Sequence, residues 1–142
     1  MFSKQNLLAA LGGGILMFIL GYLIWVLATA YFFEAHSLMD FMKDEQEVNM
    51  PLILVGNILA AFGISSLYGK WARGYHSFGD GFIFGAWVGF IFGVGYGLVQ
   101  MGTANMMDSM GHAVEALLEI GYLGITGGVI ALIYKATDKK EG

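Results

Sequence analysis

The chain has 142 residues, 57% of them hydrophobic and 13% charged, with a formal net charge of −4. This is too apolar for an ordinary soluble domain that must cover itself with polar surface, and it lacks the basic patch that nucleic acid binding needs. Cysteine is absent, which excludes disulfides, thiolate metal sites and cysteine nucleophiles.

The charges gather in short islands between long apolar runs, which predicts an all-α fold. The expected architecture is an integral membrane four-helix bundle forming a single transmembrane domain over residues 1–142. From Leu7 to Phe33 there are 27 residues without a charge. As a helix that run is about 40 Å long, more than the roughly 30 Å hydrocarbon core, so a first helix over about 7–34 spans with tilt. Lys4, the apolar run and Ala28-Thr29-Ala30 superficially resemble a secretory signal. The run is too long for a signal's apolar region, and it is read as an uncleaved span. An acidic loop over about 35–50 follows.

Pro51 opens the second helix, about 51–70, where proline in the first turn loses no intrahelical hydrogen bond. Lys70, Trp71 and Arg73 close it. Ser77-Phe78-Gly79-Asp80 has capping-box spacing and introduces the third helix, about 78–107. Asp108 and Ser109 can cap the fourth, about 111–135.

Lys4, Lys70, Arg73, Lys135, Lys139 and Lys140 fall on one side of these spans and only Lys43 on the other. Basic residues beside short loops stay in the cytoplasm, so both termini are expected there, in a bacterial inner membrane or its equivalent. Most acids then lie outside: Glu34, Asp40, Asp44, Glu45, Glu47, Asp108, Glu115 and Glu119. Internal similarity leaves a tandem-hairpin duplication open. Gly21-Tyr22 and Thr29-Ala30 match Gly95-Tyr96 and Thr103-Ala104, and Gly56, Gly63 and Lys70 match Gly121, Gly128 and Lys135.

Helix three carries Gly81, Gly85, Gly89, Gly93 and Gly97 at an unbroken spacing of four, a groove into which another backbone can settle. In lipid, close packing against small residues is a main source of helix association. Gly124 and Gly128 on helix four, and Gly56 and Ala60 on helix two, offer matching surfaces. The partner of the groove is another helix of this chain or, alternatively, a second copy. Phe78, Phe82, Phe84, Trp87, Phe90 and Phe92 supply packing bulk or lipid contact. Tyr68, Trp71 and Tyr75 are placed in an interfacial aromatic belt, and Trp25 and Trp87 against neighbouring helices.

Chemistry can reside on the acidic side. Asp108, His112, Glu115 and Glu119 recur at helical spacing, and His36 and Asp40 begin a similar pattern beyond helix one. His112, Asp108, His36 and Asp40 are therefore candidate ligands of a divalent metal, the one cofactor considered. The alternative assigns Asp108 to a helix cap, Glu115 to the helix dipole and the acidic loop to solvent. Glu119 lies one or two turns inside helix four, where an unpaired charge costs about 3 kcal/mol. Asn57, Gln100 and Thr29 fall at a similar depth, so they and Glu115 are expected around a polar pocket open to the outside. His76 and Asp80 read as an interfacial histidine and a helix cap.

The run Gly12-Gly13-Gly14-Ile15-Leu16-Met17-Phe18-Ile19-Leu20-Gly21-Tyr22-Leu23-Ile24-Trp25, with Gly56-Asn57, Lys70-Trp71-Ala72 and Phe78 to Gly89, resembles a family of small four-helix bacterial inner-membrane proteins of unknown function. The resemblance covers most of the chain, implies the same architecture and transfers no catalytic residue. The leading expectation is a non-enzymatic membrane protein, either an accessory subunit of a larger complex or a homo-oligomer with an interaction role. The alternative is a small transporter or channel for protons or divalent cations around Glu119.

Overall fold

A computed structural model describes residues 2–40 and 42–138, so Lys139 and Lys140, part of the basic cluster above, lie outside the described residues. The described residues are helical and contain no strand, with one isolated bridge between Ser37 and Met107. Four helices are long and apolar enough to cross a membrane: a first span Lys4–Ala28, a second Met50–Trp71, a third Phe78–Thr103 and a fourth Ser109–Thr137. A short helix Ala30–His36 follows the first span, and a single 3₁₀ turn, Glu45–Glu47, interrupts the acidic loop.

Each span starts on a side chain that accepts a hydrogen bond from an otherwise unpaired backbone N–H of the first turn. Ser3 accepts from Asn6, Asn49 from Leu52, Ser77 from Asp80 and Asp108 from Gly111. Pro51 sits in the first turn of the second span. The second and third spans are joined by a tight turn in which Arg73 and Gly74 have positive φ, 49° and 87°.

Three boundaries differ from expectation. The first helix does not continue to residue 34. It widens to π-helical geometry over Tyr22–Ala28 and breaks at Thr29, whose φ of −122° and ψ of 7° are not helical. Both the backbone N–H and the hydroxyl of Thr29 donate to the carbonyl of Ile24, at 2.9 and 2.7 Å, which closes the π section and explains the stop. The third helix ends at Thr103 rather than residue 107, because Ala104 is extended, and it too has a π section, Ile91–Tyr96. The fourth helix is longer at both ends, starting at Ser109 and running to Thr137. The π sections do not coincide in the register of the internal similarity: Tyr22 aligns with Tyr96, where the second one ends.

Packing is pairwise. The first span lies on the second and the fourth, and the third lies along the fourth. The glycine stripe of the third span is filled from within the chain. A Cβ on Gly81 would strike the Gly127 carbonyl, one on Gly85 the Leu123 carbonyl, one on Gly89 would come 2.5 Å from the Glu119 carbonyl oxygen, and one on Gly93 2.8 Å from the Ala116 Cα. Gly97 has open space beyond its α-carbon, so the contact ends at Gly93. Phe82 and Phe78 in turn cover Gly124 and Gly128. Gly12 and Gly13 admit Ile133 and Ile130 of the fourth span, while Gly14 meets the backbone of Ile58 on the second. That triplet lets the first span sit close to both neighbours. Gly56 on the second span meets nothing within 4 Å and has no role in this packing.

The aromatic expectations divide. Trp25 is packed as predicted, but Trp87 is 64% exposed, pointing away from the other helices. Tyr68, placed in an interfacial belt by sequence, is fully buried and stacks among Phe84, His76 and Tyr134. Trp71 and Tyr75 remain exposed. Beside Tyr68, at the end carrying Lys4, Lys70 and Lys135, is a buried polar knot. Asn6, 2% exposed, donates to Ser66 at 2.8 Å and accepts from Ser65 at 2.5 Å and from Tyr134 at 3.3 Å. Asn6→Ala removes the amide that joins Ser65, Ser66 and Tyr134, of which Tyr134 still reaches the Ser65 carbonyl at 3.1 Å, and its expected cost is about 2 kcal/mol. Thermal unfolding in detergent reads this as a clear drop in midpoint, against a small change for Gln5→Ala, whose amide donates to Thr137 and Asp138 nearer the surface.

Candidate functional site

Near the basic end the second and third spans meet through Phe84, whose ring centroid lies 5.6 Å from Tyr68 and 5.4 Å from Trp71. Toward the acidic end a cleft of about 740 Å³ opens among the four spans. The second span contributes Ile53, Asn57 and Ala60 to it, the third Phe92, Tyr96 and Gln100, the first Phe18 and Trp25, and the fourth His112, Glu115 and Glu119. Met42 and Val48 of the acidic loop also line it, with Met50 of the second span's first turn.

Both π sections border this cleft: Tyr22, Trp25 and Val26 come from one, Phe92, Gly93 and Tyr96 from the other. A π turn shifts side chains off the regular helical stripe, and such turns recur at functional sites. Sequence reasoning missed them, since nothing in the apolar runs distinguishes a π turn from an α turn.

Four of the five residues predicted for a polar pocket line this cleft: Glu119, Glu115, Asn57 and Gln100. Thr29 does not, because its hydroxyl is committed to the Ile24 carbonyl. His112, predicted as a metal ligand, lines the cleft instead. The two carboxylates have different surroundings. Trp25 donates its indole N–H to Glu115 Oε2 at 2.7 Å, and its ring meets Tyr122 edge-on at 5.0 Å, while the Tyr122 hydroxyl donates to the Met17 carbonyl at 3.0 Å. Glu115 is thus held. Among the described residues no side chain donates to Glu119, one turn further along. The His112 side chain is buried with its Nε2 unpartnered among the described residues. Among the described residues no lysine or arginine lines the cleft, and His112 is the basic side chain beside its carboxylates.

The candidate metal ligands are not brought together. Among the described residues no three His, Asp or Glu side chains are placed to hold a metal ion. Asp108 spends one carboxylate oxygen on the Gly111 N–H at 2.8 Å and the other on His36 Nδ1 at 2.7 Å, His112 turns to the cleft, and Asp40 is exposed in the loop. The Asp108 to His36 pair, with backbone bonds from Asp108 to His36 and from Leu38 to Met106, clips the two acidic-end connections together.

The Gly111 N–H, and after it the His36 side chain, hold the Asp108 carboxyl below the usual carboxylate range. A pKa lowered on folding contributes stability that is present above the unfolded value, about 4, and is lost as pH falls through the folded one. Acidification below that range is therefore expected to loosen the clip. Amide exchange at Gly111, corrected for its intrinsic pH dependence, should accelerate in acid in the wild type. In Asp108→Asn, which keeps an acceptor but has no charge to lose, it should not; equal responses in the two proteins would contradict the assignment.

The chain matches no family model, no curated protein and no solved structure. Fold and site together define a class: an all-helical chain with four helices able by length and composition to cross a membrane, and an acidic, aromatic-lined cleft among them.

Proposed function

We propose that the protein is a non-enzymatic, multi-pass four-helix bundle in a bacterial inner membrane, of the small four-helix type its sequence resembles, with both termini cytoplasmic. We propose further that it takes up cations through the cleft at its outer, acidic end. The observation that carries this reading is the convergence of Glu119, Asn57, Gln100 and His112 on one cleft, with a Glu119 carboxylate to which no side chain among the described residues donates. Within a span such a carboxylate is costly unless it meets water, a proton or a cation, and it marks an ion or substrate pathway more often than a packing contact. The basic residues at the opposite end support the orientation.

The purified chain in liposomes tests this reading: uptake of protons or divalent cations above that of empty vesicles is expected, and flux equal to that of empty vesicles rejects it. A second reading, an accessory subunit or homo-oligomer, is favoured by Gly56 and Gly63 on the second span, which are exposed and meet nothing within 4 Å. Its signature is a detergent particle heavier than one chain that shrinks on Gly63→Leu.

A further inference from the structure

The basic end carries charge that the protein itself does not use. Lys4, Lys70, Arg73 and Lys135 are all exposed there, and among the described residues none of them forms an ion pair. The fold brings them from three spans to one level. A Cβ on Gly69 would lie 2.7 Å from the Tyr134 hydroxyl, so Lys70 and Lys135 each follow a point of contact between the second and fourth spans. Asn6, two residues after Lys4, bonds to Ser66 and Tyr134 at the same place. Arg73 follows Lys70 in a turn that the Tyr75 N–H closes onto the Ala72 carbonyl at 3.0 Å.

A basic end would by itself be no more than the charge bias that orients spans. The independent observation is that Asp80 and Asp138, the described acids at this end, are engaged elsewhere. Asp138 accepts from the Gln5 amide at 3.0 Å, and its other oxygen lies 3.9 Å from His76 Nε2. Asp80 accepts from the Ser77 hydroxyl at 2.5 Å within its helix cap. The four cations are left for an anion from outside the chain. The aromatic residues of the same turn indicate its source: Trp71 packs on Phe84 at 5.4 Å yet is 49% exposed, and Tyr75 is 81% exposed. Such rings settle at the headgroup level of a bilayer.

We infer that the turn between the second and third spans, Lys70 to Tyr75, binds the phosphate of an anionic phospholipid. Lys70 and Arg73 supply the charge, Trp71 and Tyr75 lie against the headgroup region, and Lys4 and Lys135 add to the field. A guanidinium matches two phosphate oxygens at once, while lysine acts as a point charge. A zwitterionic lipid also offers a phosphate, but its ammonium meets unpaired cations here and no uncommitted carboxylate among the described residues. This inference rests on the membrane-spanning reading above and is independent of cation uptake.

The test uses the full wild-type chain in neutral detergent. The probes are phosphatidylglycerol, phosphatidylcholine with the same acyl chains, and glycerol phosphate, with retained lipid counted by native mass spectrometry. At equal concentrations the anionic lipid should be retained at least about tenfold more strongly, since each basic residue beside an anionic headgroup is worth about fivefold in affinity. Lys70→Gln combined with Arg73→Gln should abolish that preference, whereas Lys43→Gln, in the acidic loop, should leave it intact. Because neither side chain of the pair is in an ion pair, the double variant should unfold at the wild-type midpoint without lipid. It should lose the rise in midpoint that phosphatidylglycerol gives the wild type.

Equal retention of the two lipids by the wild type overturns the inference, with no need for any variant to fold. A preference that survives the double substitution overturns it as well. Displacement of the bound lipid by glycerol phosphate at the same concentration overturns the lipid as the source in favour of a soluble phosphate. The membrane reading fails differently, through a chain that does not float with lipid vesicles in a density gradient.

Discussion

Replacing Gly85 with isoleucine is expected to prise the third span from the fourth and leave no monodisperse folded protein in detergent. An added Cβ at that position meets the Leu123 carbonyl and, at 3.1 Å, the Gly124 Cα. Both belong to the backbone of a helix that cannot bend aside one atom at a time. Overpacking against side chains costs about 1 to 3 kcal/mol, and here no rotamer change relieves it, so the cost lies at the top of that range or beyond. Because close van der Waals packing is a main source of helix association in lipid, the separation also loses the contacts at Gly81, Gly89 and Gly93. The controls are glycines in the same sequence with nothing within 4 Å of an added Cβ: Gly63, Gly95 and Gly102. Alanine there should leave the unfolding midpoint unchanged or slightly higher, since alanine is the better helix former by about 1 kcal/mol. If Gly85→Ile and Gly95→Ala behave alike in size-exclusion profile and midpoint, the third and fourth spans are not packed backbone to backbone.

The same series addresses the alternative that the stripe joins two copies of the chain. Gly89 is already occupied, its missing side chain replaced by the Glu119 carbonyl and the Ile120 backbone. Gly89→Leu is therefore expected to lower the midpoint without a discrete change from a larger to a smaller particle.

Much of this packing was legible in the sequence for a physical reason. A spacing of four brings side chains to one helix face, so Gly81 to Gly93 announced a groove before its partner was known. What the spacing did not contain is where the groove ends: Gly97 continues the pattern, yet it lies just past a π section and has open space where its neighbours have contact. The Gly12-Gly13-Gly14 run is instructive in the opposite sense. Consecutive glycines face different directions on a helix, and they make sense only once the first span is seen between the second and the fourth. Tyr68 was misplaced because an aromatic beside basic residues reads as interfacial, while its burial depends on Phe84 and Tyr134 arriving from the third and fourth spans.

The candidate site was legible in part on similar grounds. His112, Glu115 and Glu119 share a helix, and their intervals of three and four place them together by geometry alone. Asn57 and Gln100 were grouped with them by depth along their spans, a quantity that helix rise and topology fix. Thr29 was grouped by the same logic and falls away because its hydroxyl closes the π section. The bond from Trp25 to Glu115 joins residues 90 apart in sequence and leaves no trace in any local pattern.

That bond separates the two carboxylates in a way transport measurements can read. In liposomes, Glu119→Gln is expected to reduce cation uptake to the level of empty vesicles, while Glu115→Gln retains most of it. Glutamine is nearly isosteric with glutamate, and at position 115 its carbonyl oxygen still accepts the Trp25 indole N–H, so the wall of the cleft keeps its shape. At position 119 no side chain among the described residues donates to the carboxylate, so on the proposed reading this is the group that exchanges a cation for a proton or water. Removing its charge removes the group that the cleft offers to an incoming cation. Trp25→Phe completes the comparison: it strips Glu115 of its donor and frees that carboxylate to compete for the cation, so uptake should survive with altered affinity rather than vanish. Loss of flux in Glu115→Gln with full activity in Glu119→Gln would exchange the two roles and place the working carboxylate beside Trp25.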